Sequence, residues 1–429
     1  MPQTTFGGES SRLRARADVV LPAGGFGNFD PAVVTKRGLA GRVWDVDGKE
    51  YVDFLLGSGP MLVGHGHPEV IEAVKVQLSD GITFFTTNEA GIELAEEICA
   101  AVPCAEQLRY VSTGSEADMY AMRLARAHTG RDLILKFEGG YHGMSGEALM
   151  SLAPERLENF PLAVPDSAGI PQSTRDSVIV APFNDIAFAR QIISEYADRL
   201  AGVIVEPLQR IVPPVPGFLE VLREETVRHG IVLIFDEIVT GFRLAYGGAQ
   251  ALYGVTPDLA TLGKVIGGGF PLAAIVGSRD LMVHFDKSKV GDAGFTFQVG
   301  TLSGNPVAAV AGLKTLEILR REGAYDNMRS AGRRIMNCLK LEAEKASIPA
   351  TVVGDPVLFD VVFAKGPILS YRDTQSANSK HSAAFNARLR ASGLLKAPMK
   401  FYISLAHDDD DLSHAEMAIT EGMNAIALQ

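Results

Sequence analysis

The chain has 429 residues, of which 47% are hydrophobic, and it carries a formal net charge of −11 at pH 7. This composition allows a large core in one large or two moderate domains, and the acidic balance argues against a nucleic-acid partner. No apolar run predicts a transmembrane helix, and the N-terminus lacks the apolar segment of a signal peptide. Cys99, Cys104 and Cys338 form no metal-type pair, so we expect free thiols in a reducing cytoplasm.

The first predicted element is a β-hairpin near the N-terminus. The stretch GRVWDVDGKEYVDF, residues 41–54, alternates in hydrophobicity on both sides of Asp47-Gly48, a dipeptide typical of tight hairpin turns. From about residue 90, short Val- and Ile-rich runs alternate with helical stretches. These runs are LRYVS, DLILKF, DSVIVAPF, LAGVIVEP, GIVLIFDE and AAIVGS. Apolar strands separated by helices predict a mainly parallel sheet that is covered on both faces.

The last third of the chain has a different pattern. A helix is predicted from Pro306 to about Leu319, and short strands follow in TVVGDPVLFDVVFA and KFYISLA. The segment DDDDLSHAEMAITEGMNAIAL predicts a closing helix. We therefore expect a large α/β domain at residues 61–305. A smaller domain would combine an N-terminal segment, residues 1–60, with residues 306–429.

The stretch VSTGSEADMYAMRLARAHTG contains a candidate phosphate site. A predicted strand ends there and a helix begins near Ser115, so the turn presents free backbone N–H groups beside the hydroxyls of Thr113 and Ser115 and the flexible Gly114. A helix N-terminus of this kind attracts anions, phosphates in particular. The alternative is an ordinary helix cap, with Ser115 as the capping residue and Asp118 three positions later.

Two other segments follow predicted strands and carry polar or aromatic side chains. Asp236 ends the strand in GIVLIFDEIVTGFR, at the edge where ligands bind in open α/β sheets, and a buried carboxylate there needs a donor or a cation. A helix cap or a salt bridge within the loop is the alternative. The stretch EGGYHGMSGE, residues 138–147, puts Tyr141 and His142 in a glycine-flanked loop. The aromatic ring there lies against a flat ligand or simply packs the loop.

Lys264 is unusual in its surroundings. In TLGKVIGGGFPLA, residues 261–273, it stands between an apolar run and three glycines, with no acidic residue to pair with it. An unpaired buried ammonium is costly, so Lys264 is either a solvated surface residue or a reactive amine. A phosphate turn, a buried aspartate, an aromatic plate and an apolar lysine together are what pyridoxal 5′-phosphate requires. The lysine forms a Schiff base, and the aspartate keeps the pyridine nitrogen protonated.

Six motifs occur in a characteristic order along the chain: VSTGSEA, FEGGYHG, IVEP, LIFDEIVTGFR, PDLATLGKVIGGGFPLAA and GTLSGNP. With them, the sequence resembles the class III, fold type I, pyridoxal-phosphate aminotransferases from about residue 12 to the C-terminus. Within that family it is most similar to the glutamate-1-semialdehyde aminomutase branch. The resemblance implies an α/β fold whose large domain has a mainly parallel seven-stranded sheet sandwiched by helices, beside a smaller α+β domain. It also implies a homodimer with shared active sites.

The resemblance further implies roles for individual residues. Lys264 would form the Schiff base with the cofactor, Asp236 would pair with its pyridine nitrogen, and Tyr141 would stack on one face of its ring. Val239, or Ile238 beside it, would press on the other face. The other implied cofactor-binding residues are Thr113, Gly114 and Ser115 at the phosphate, Thr301 at the phosphate of the neighbouring subunit, His142 in the loop of Tyr141, and Glu206 and Glu237 near the ring hydroxyl.

The sequence departs from the family on the substrate side. The aminomutases grip the substrate carboxylate with an arginine in a Pro-Val-Arg-type stretch, whereas LPAGGFGNFDPAVV, residues 21–34, contains no arginine. Losing a bidentate carboxylate clamp changes which substrate fits. Phe26, Asn28 and Phe29 either line a pocket for a more apolar amine or a β-amino acid, or simply pack the N-terminal segment.

Two further candidates come from charged side chains and histidines. Arg243, in TGFR, either meets a substrate carboxylate or forms an ion pair with Asp236 or Glu237. His65 and His67 resemble a metal pair, but no third ligand is evident in the sequence, so no metal site is predicted.

Three functions are compatible with these residues. The leading hypothesis is a ping-pong aminotransferase that moves an amino group from a primary amine or an ω- or β-amino acid to an α-keto acid through Lys264. The second is a glutamate-1-semialdehyde 2,1-aminomutase, which moves the amino group within one molecule. The third is a nucleotide-binding α/β protein without pyridoxal chemistry, although the sequence has neither a GxxxxGK[ST] loop nor a GxGxxG turn opening a βαβ unit.

Overall fold

The computed structural model describes residues 8–30 and 32–427, and in these residues the strands form sheets of seven, four and three strands. The strands are β1 (Thr35–Leu39), β2 (Arg42–Asp45), β3 (Glu50–Phe54), β4 (Gln107–Val111), β5 (Leu133–Phe137), β6 (Val178–Ala181), β7 (Leu200–Val205), β8 (Val232–Glu237), β9 (Leu259–Leu262), β10 (Ala273–Gly277), β11 (Thr351–Asp355), β12 (Leu358–Val362), β13 (Leu394–Lys396) and β14 (Phe401–Tyr402). The helices are α1 (Glu9–Val20), α2 (Pro68–Asp80), α3 (Glu89–Ala101), α4 (Gly114–Thr129), α5 (Gln172–Arg175), α6 (Ile186–Glu195), α7 (Phe218–His229), α8 (Gly248–Tyr253), α9 (Arg279–Met282), α10 (Lys287–Gly294), α11 (Pro306–Leu319), α12 (Ala324–Lys345), α13 (Tyr371–Thr374), α14 (Ser379–Ala391) and α15 (Asp409–Ala427).

The seven-stranded sheet has the order β4-β10-β9-β8-β7-β5-β6. Six of its strands run parallel, and β10 runs antiparallel to both of its neighbours, β4 and β9. Every residue of β5, β7 and β8 is buried, as expected for parallel strands that are covered on both faces. The predicted α/β class and mainly parallel seven-stranded sheet are therefore confirmed.

Successive residues of the central strands pack on opposite faces of this sheet. Ile234 and Leu259 belong to the apolar cluster beneath α4, which contributes Ala117 and Ala121, whereas Phe235 belongs to the main core on the other face. Each fully buried large aliphatic side chain contributes roughly 1.5–3 kcal/mol to folding. A carboxylate on either face is therefore costly unless it is hydrogen-bonded.

The two ends of the chain meet in the four-stranded sheet, whose order is β1-β2-β3-β13. The hairpin β2–β3 turns at Asp47-Gly48 as predicted, with Gly48 at a φ of 91°. Strand β13 adds in parallel to β3, with Leu394 opposite Val52. The N- and C-terminal segments therefore pack together, as expected, while the boundaries at residues 60 and 305 stay predictions.

The long helix predicted from Pro306 is α11, and the closing helix is α15. Helices α1, α2, α3, α5, α8, α9 and α10 and strands β1, β9 and β13 are not predicted from the sequence. Strand β9 has only four residues, too few for periodicity to separate it from a loop. Among the described residues, no helix is long and apolar enough to cross a membrane.

Candidate active site

The chemistry-bearing residues gather at one edge of the seven-stranded sheet. Asp236 is the penultimate residue of β8, Glu206 follows β7 directly, and Lys264 comes two residues after β9. These three strands are parallel neighbours, so their carboxyl ends open at the same edge of the sheet. This is the edge where open α/β sheets bind ligands.

Helix α4 starts at this edge and is capped by Thr113. The Glu116 amide donates to Thr113 Oγ1 at 3.2 Å, and the Thr113 amide donates to Glu116 Oε2 at 2.9 Å, forming a capping box. The predicted cap of Ser115 with Asp118 is therefore wrong by two residues, because Gly114 already begins the helix. Thr113 accepts the amides of Glu116 and Ala117, whereas the amides of Gly114 and Ser115 lie at the open end of the helix.

Two glycines, Gly114 at the start of α4 and Gly143 in the loop after β5, allow the two segments to approach closely. A Cβ on Gly114 would lie 3.1 Å from the side chain of Ile238. A Cβ on Gly143, whose φ is 87°, would lie 2.5 Å from Ser115 Cα. The Ser115 hydroxyl accepts the amide of Met144 at 3.2 Å. The loop after β5 therefore crosses directly over the start of α4.

Ile238 and Val239 take different positions. Ile238 lies between Gly114 and Gly263, where a Cβ on Gly263 would be 3.1 Å from Ile238 Cδ1. Val239 instead packs against the main apolar core. Of the two candidates for the ring face, Ile238 is thus the one next to both the helix start and the residue preceding Lys264.

Asp236 and His142 form a buried pair. His142 Nδ1 lies 2.8 Å from Asp236 Oδ2, and the Ile238 amide donates to Asp236 Oδ1 at 3.1 Å. His142 is 1% exposed and Asp236 4% exposed. In the described part of the chain His142 Nε2 has no hydrogen-bond partner. His142 is therefore in place to orient the Asp236 carboxylate.

Tyr141 is held through its backbone and keeps its ring accessible. Its amide donates to Glu206 Oε2 at 2.9 Å, and its side chain is 36% exposed. The guanidinium of Arg210 lies 5.4 Å from the ring centroid. Glu206 therefore contacts this loop, which is the connection that ties β7 to the aromatic residue.

Lys136 of β5, which was not a predicted site residue, anchors the loop that carries Tyr141 through the end of that loop. Its ammonium is completely buried and donates to the carbonyl oxygens of Ala148 at 2.7 Å and Met150 at 2.5 Å. Burial lowers its pKa to about 7. The run DLILKF predicts the strand, but the period-2 pattern gives no sign that its lysine points inward.

Lys264 begins a short 3-10 turn that ends at Gly267, and its φ is 49°, which is unusual for a residue with a side chain. Burial lowers the pKa of its ammonium, and the positive charges of Lys400 and Arg243 lower it further, against an opposing influence of Tyr402. The surface-lysine alternative is therefore disfavoured, because this environment stabilises the neutral amine.

Tyr402, at the end of β14, connects Lys264 to two other cations. Arg243 Cζ lies 5.0 Å and Lys400 Nζ 5.9 Å from the centroid of its ring. Burial raises the pKa of the Tyr402 phenol, but the positive charges of Lys400, Lys264 and Arg243, with a hydrogen bond from Ser58, lower it below its usual value. Lys400 is half-buried and has no ion pair within residues 8–30 and 32–427. None of these contacts was visible in a sequence motif.

Arg243 and Glu237 are buried away from each other. The Arg243 guanidinium is fully buried, donates to the carbonyl oxygens of Gly59 and Ile403, and has its pKa lowered to about 10 by burial. Glu237 accepts the Thr240 hydroxyl at 3.0 Å and the amide at the start of α8. The alternative of an ion pair between Arg243 and Asp236 or Glu237 is wrong for the described chain, because the guanidinium donates to these two carbonyls instead. Its Nε has no partner among the described residues.

The other predicted substrate residues belong to the turn that follows α1. Phe26 is 83% exposed. Asn28 and Phe29 line a cavity of about 430 Å³, whose other wall includes Arg390 and Lys396. Phe29 also packs against the apolar cluster of the four-stranded sheet. Their role in substrate binding stays a prediction.

Thr301 lies on an exposed turn before α11. Its neighbours Gly300 and Ser303 line a groove of about 590 Å³ together with Phe85 and Tyr110. Several large apolar side chains of the flanking segments are exposed: Ile82, Phe84, Phe85, Ile92, Phe297, Val299 and Leu302.

The two histidines of GHGHPE do not form a metal pair. His65 Nε2 contacts Asp53 Oδ2 at 2.8 Å, whereas His67 Nδ1 is buried without a partner in the described chain. No group of three His, Cys, Asp or Glu side chains suited to a metal ion occurs among the described residues.

Comparison with known proteins relates this arrangement to one family. The family model described as Aminotransferase class-III matches residues 27–414. The chain is 40% identical to glutamate-1-semialdehyde 2,1-aminomutase 2 of Brevibacillus brevis, over 91% of both proteins. It superposes on the crystal structure of an omega-transaminase from Sphaerobacter thermophilus with a TM-score of 0.92 and 34% identity, over 98% of both chains. A transaminase with PLP bound has a TM-score of 0.89 and 28% identity, again over 98% of both chains.

Proposed function

The chain belongs to the class III aminotransferases, and from that premise we propose that it transfers an amino group between two molecules. The donor is a primary amine or an ω- or β-amino acid, the acceptor is an α-keto acid, and the two half-reactions alternate at Lys264 in a ping-pong cycle. The enzymes of this family use pyridoxal phosphate. When bound, this cofactor supplies an electron-withdrawing ring that stabilises negative charge on the substrate carbon.

The described residues fit that cofactor. Asp236 would meet the pyridine nitrogen, and the open amides of Gly114 and Ser115 would hold the phosphate at the positive end of α4. Ile238 would lie on one face of the ring. The absence of a Cβ on Gly114 leaves room there for the Ile238 side chain. The half-exposed ring of Tyr141 is available for the other face. The buried Nε2 of His142, which has no partner in the described chain, would gain a hydrogen bond from a polar group bound beside it.

Each residue then has a task that its environment supports. Lys264 accepts a proton from the substrate carbon and returns it, because its lowered pKa keeps a fraction of the amine neutral. His142 holds the Asp236 carboxylate in one orientation through the 2.8 Å contact. Glu206 fixes the backbone of Tyr141 and so holds the aromatic ring at the site.

One observation carries the intermolecular reaction rather than the aminomutase reaction. Residues 21–34 contain no arginine, and the guanidinium of Arg243 is completely buried, so the carboxylate clamp of the aminomutases has no equivalent at either position. The half-buried ammonium of Lys400, beside Tyr402, is a cation available for a substrate carboxylate. The likeness in fold to an omega-transaminase supports the same choice. Glutamate-1-semialdehyde 2,1-aminomutase, the name of a relative at 40% identity, is the second candidate.

We also propose a homodimer in a reducing cytoplasm. A second copy covering the apolar side chains around Thr301 would remove them from water and bring Thr301 to the neighbouring phosphate site. The thiols of Cys99, Cys104 and Cys338 are unpaired, which supports the reducing compartment. Light scattering of the purified protein tests the dimer, and a monomer at micromolar concentration would refute it.

A substrate panel tests the proposed reaction. Purified protein with pyridoxal phosphate is mixed with each amine alone, with glutamate-1-semialdehyde alone, and with each amine plus an α-keto acid. We expect repeated turnover only when donor and acceptor are both present. Repeated turnover of glutamate-1-semialdehyde without an acceptor would favour the aminomutase and contradict the proposal.

A further inference from the structure

A second carboxyl group lies behind Asp236, and none of the roles above uses it. Asp118 is in the second turn of α4 and is 1% exposed. Thr261 Oγ1 donates to Asp118 Oδ1 at 2.6 Å. Thr261 is also the ladder partner of Asp236, and burial, followed by the charge of Asp236, raises the pKa of the Asp118 carboxyl beside it. The resulting chain runs from the Thr261 hydroxyl through Asp118 to Asp236.

The register of the sheet explains this contact. Asp236 of β8 and Thr261 of β9 are partners in a parallel ladder, so their side chains leave the same face of the sheet. Helix α4 covers that face, as shown by the packing of Ala121 against Ile234. A polar residue at position 118 of α4 is therefore placed against both Asp236 and Thr261.

The buried pair holds one proton, because two carboxylates in contact in a dry site cannot both be ionised. Asp236 accepts the Ile238 amide and contacts His142 Nδ1 at 2.8 Å. It also lies in the field of the Lys264 and Lys136 ammonium groups. Asp118 accepts only the neutral hydroxyl of Thr261. Burial, followed by the charges of Asp236 and Glu206, raises the pKa of Asp118 well above its usual range. The proton therefore stays on Asp118.

We propose that Asp118 is a positioning residue whose carboxylic acid donates a hydrogen bond to Asp236, keeping Asp236 charged and aimed at the pyridine nitrogen of the cofactor. A hydrogen bond from a neutral acid stabilises the charged form of the carboxylate that accepts it. Asp118 would thus allow the site to hold its cofactor down to a lower pH. This inference rests on the proposed role of Asp236.

Two substitutions separate the hydrogen bond from the shape of the side chain. Asp118→Asn retains a donor for Asp236 and an acceptor for Thr261, whereas Asp118→Val retains neither. In equilibrium dialysis of the apoprotein with pyridoxal phosphate, we expect the dissociation constant of Asp118→Asn to stay within about twofold of wild type. That of Asp118→Val should rise about tenfold or more, as expected for losing a hydrogen bond to a charged group.

The pH dependence of that dissociation constant is the readout that a purely structural role would not move. The affinity of Asp118→Val should fall at a higher pH than that of wild type on acidification, since Asp236 lacks its donor. Asp118→Asn should follow wild type. Met122→Val, one turn further along the same buried face of α4, is the matched control, and we expect it to lower stability without moving the acid limb.

Infrared spectroscopy of the apoprotein locates the proton without any cofactor. At about pH 8, far above the ordinary carboxyl pKa, wild type should show the carbonyl band of a protonated acid that Asp118→Asn lacks. Burial also raises the pKa of Glu237 and Asp360, so the difference spectrum between the two proteins isolates Asp118.

Three results would overturn the inference: no difference band at about pH 8, a shifted acid limb in Asp118→Asn, or an unshifted one in Asp118→Val. If Asp118→Val does not fold, the asparagine variant and the infrared spectrum decide alone. Failure of the proposed function looks different, because Asp236→Asn would then keep full activity whatever the state of Asp118.

Discussion

The edge of the seven-stranded sheet and the N-terminal turn differ in how firmly contacts within the chain fix their side chains. At the sheet edge, His142, Asp236 and Asp118 are nearly inaccessible and each has a hydrogen-bond partner within one protomer. In the turn, Phe26 is 83% exposed and Asn28 is open to solvent. Hydrogen bonds hold the buried side chains in one arrangement, whereas we propose that the exposed side chains of the turn take part in substrate choice.

The largest effect should come from the residue that carries the chemistry at the buried edge. Lys264→Ala should reduce turnover at least about 1,000-fold, because both the covalent attachment and the proton transfer are lost. Steady-state rates with a donor and an acceptor measure this, and unchanged unfolding of the apoprotein serves as the control. A Lys264→Ala variant with the wild-type rate would contradict the assignment of the chemistry to the buried sheet edge.

A smaller but still large effect is expected at Asp236. Asp236→Asn should bind pyridoxal phosphate yet lose about 100-fold in turnover, because the neutral amide does not keep the ring nitrogen protonated. Cofactor titration and rate measurements on the same sample separate the two properties. Wild-type rates in this variant would contradict the role of the buried carboxylate.

Lys400 is half-buried, so its accessibility lies between those of the two regions. Its substitution tests whether it contacts the substrate carboxylate. Lys400→Met should raise KM about tenfold for substrates that carry a carboxylate and leave a carboxyl-free amine unaffected, because only the former lose an ion pair. Lys400→Arg should restore most of the affinity. Lys340→Met, on the exposed side of α12, is the matched control. Equal losses with both kinds of substrate would argue against a carboxylate contact.

The buried lysine beneath the Tyr141 loop predicts a pH effect on stability. Lys136 has a folded-state pKa of about 7, so from about pH 7 to 10 the unfolded chain binds one more proton than the folded chain. The free energy of unfolding should therefore rise with pH, by about 1 kcal/mol per unit, and this contribution is lost as the pH falls towards 7. The difference between wild type and Lys136→Met in urea titrations at several pH values isolates it, and parallel profiles would refute it.

The smallest effect is expected at the exposed turn. Phe26→Ala should change the free energy of unfolding by less than about 0.5 kcal/mol, because its side chain is 83% exposed. The same change should lower kcat/KM for aromatic amines about threefold relative to small aliphatic amines, the signature of a pocket contact. An unchanged ratio would assign Phe26 to neither packing nor substrate recognition.

Sequence patterns predicted the parts of the fold that repeat locally. Apolar runs separated by helical stretches indicated the parallel sheet, and the motifs around Asp236 and Lys264 marked its functional edge. The contacts of Asp118 with Thr261 and of Arg243 with Tyr402 join segments that are remote in the chain, and no local pattern encodes them. Cap register at Thr113 was misjudged for a related reason, since two adjacent hydroxyls compete for the same helix end.

The most direct test of the central claim is to locate the lysine that carries the cofactor. Borohydride reduction of the holoenzyme, followed by proteolysis and mass spectrometry, reports the labelled residue. We predict a single modified lysine, Lys264, whose label is lost in Lys264→Ala. A label on Lys136 or Lys400 instead, or a wild-type protein that takes up no cofactor, would contradict the account.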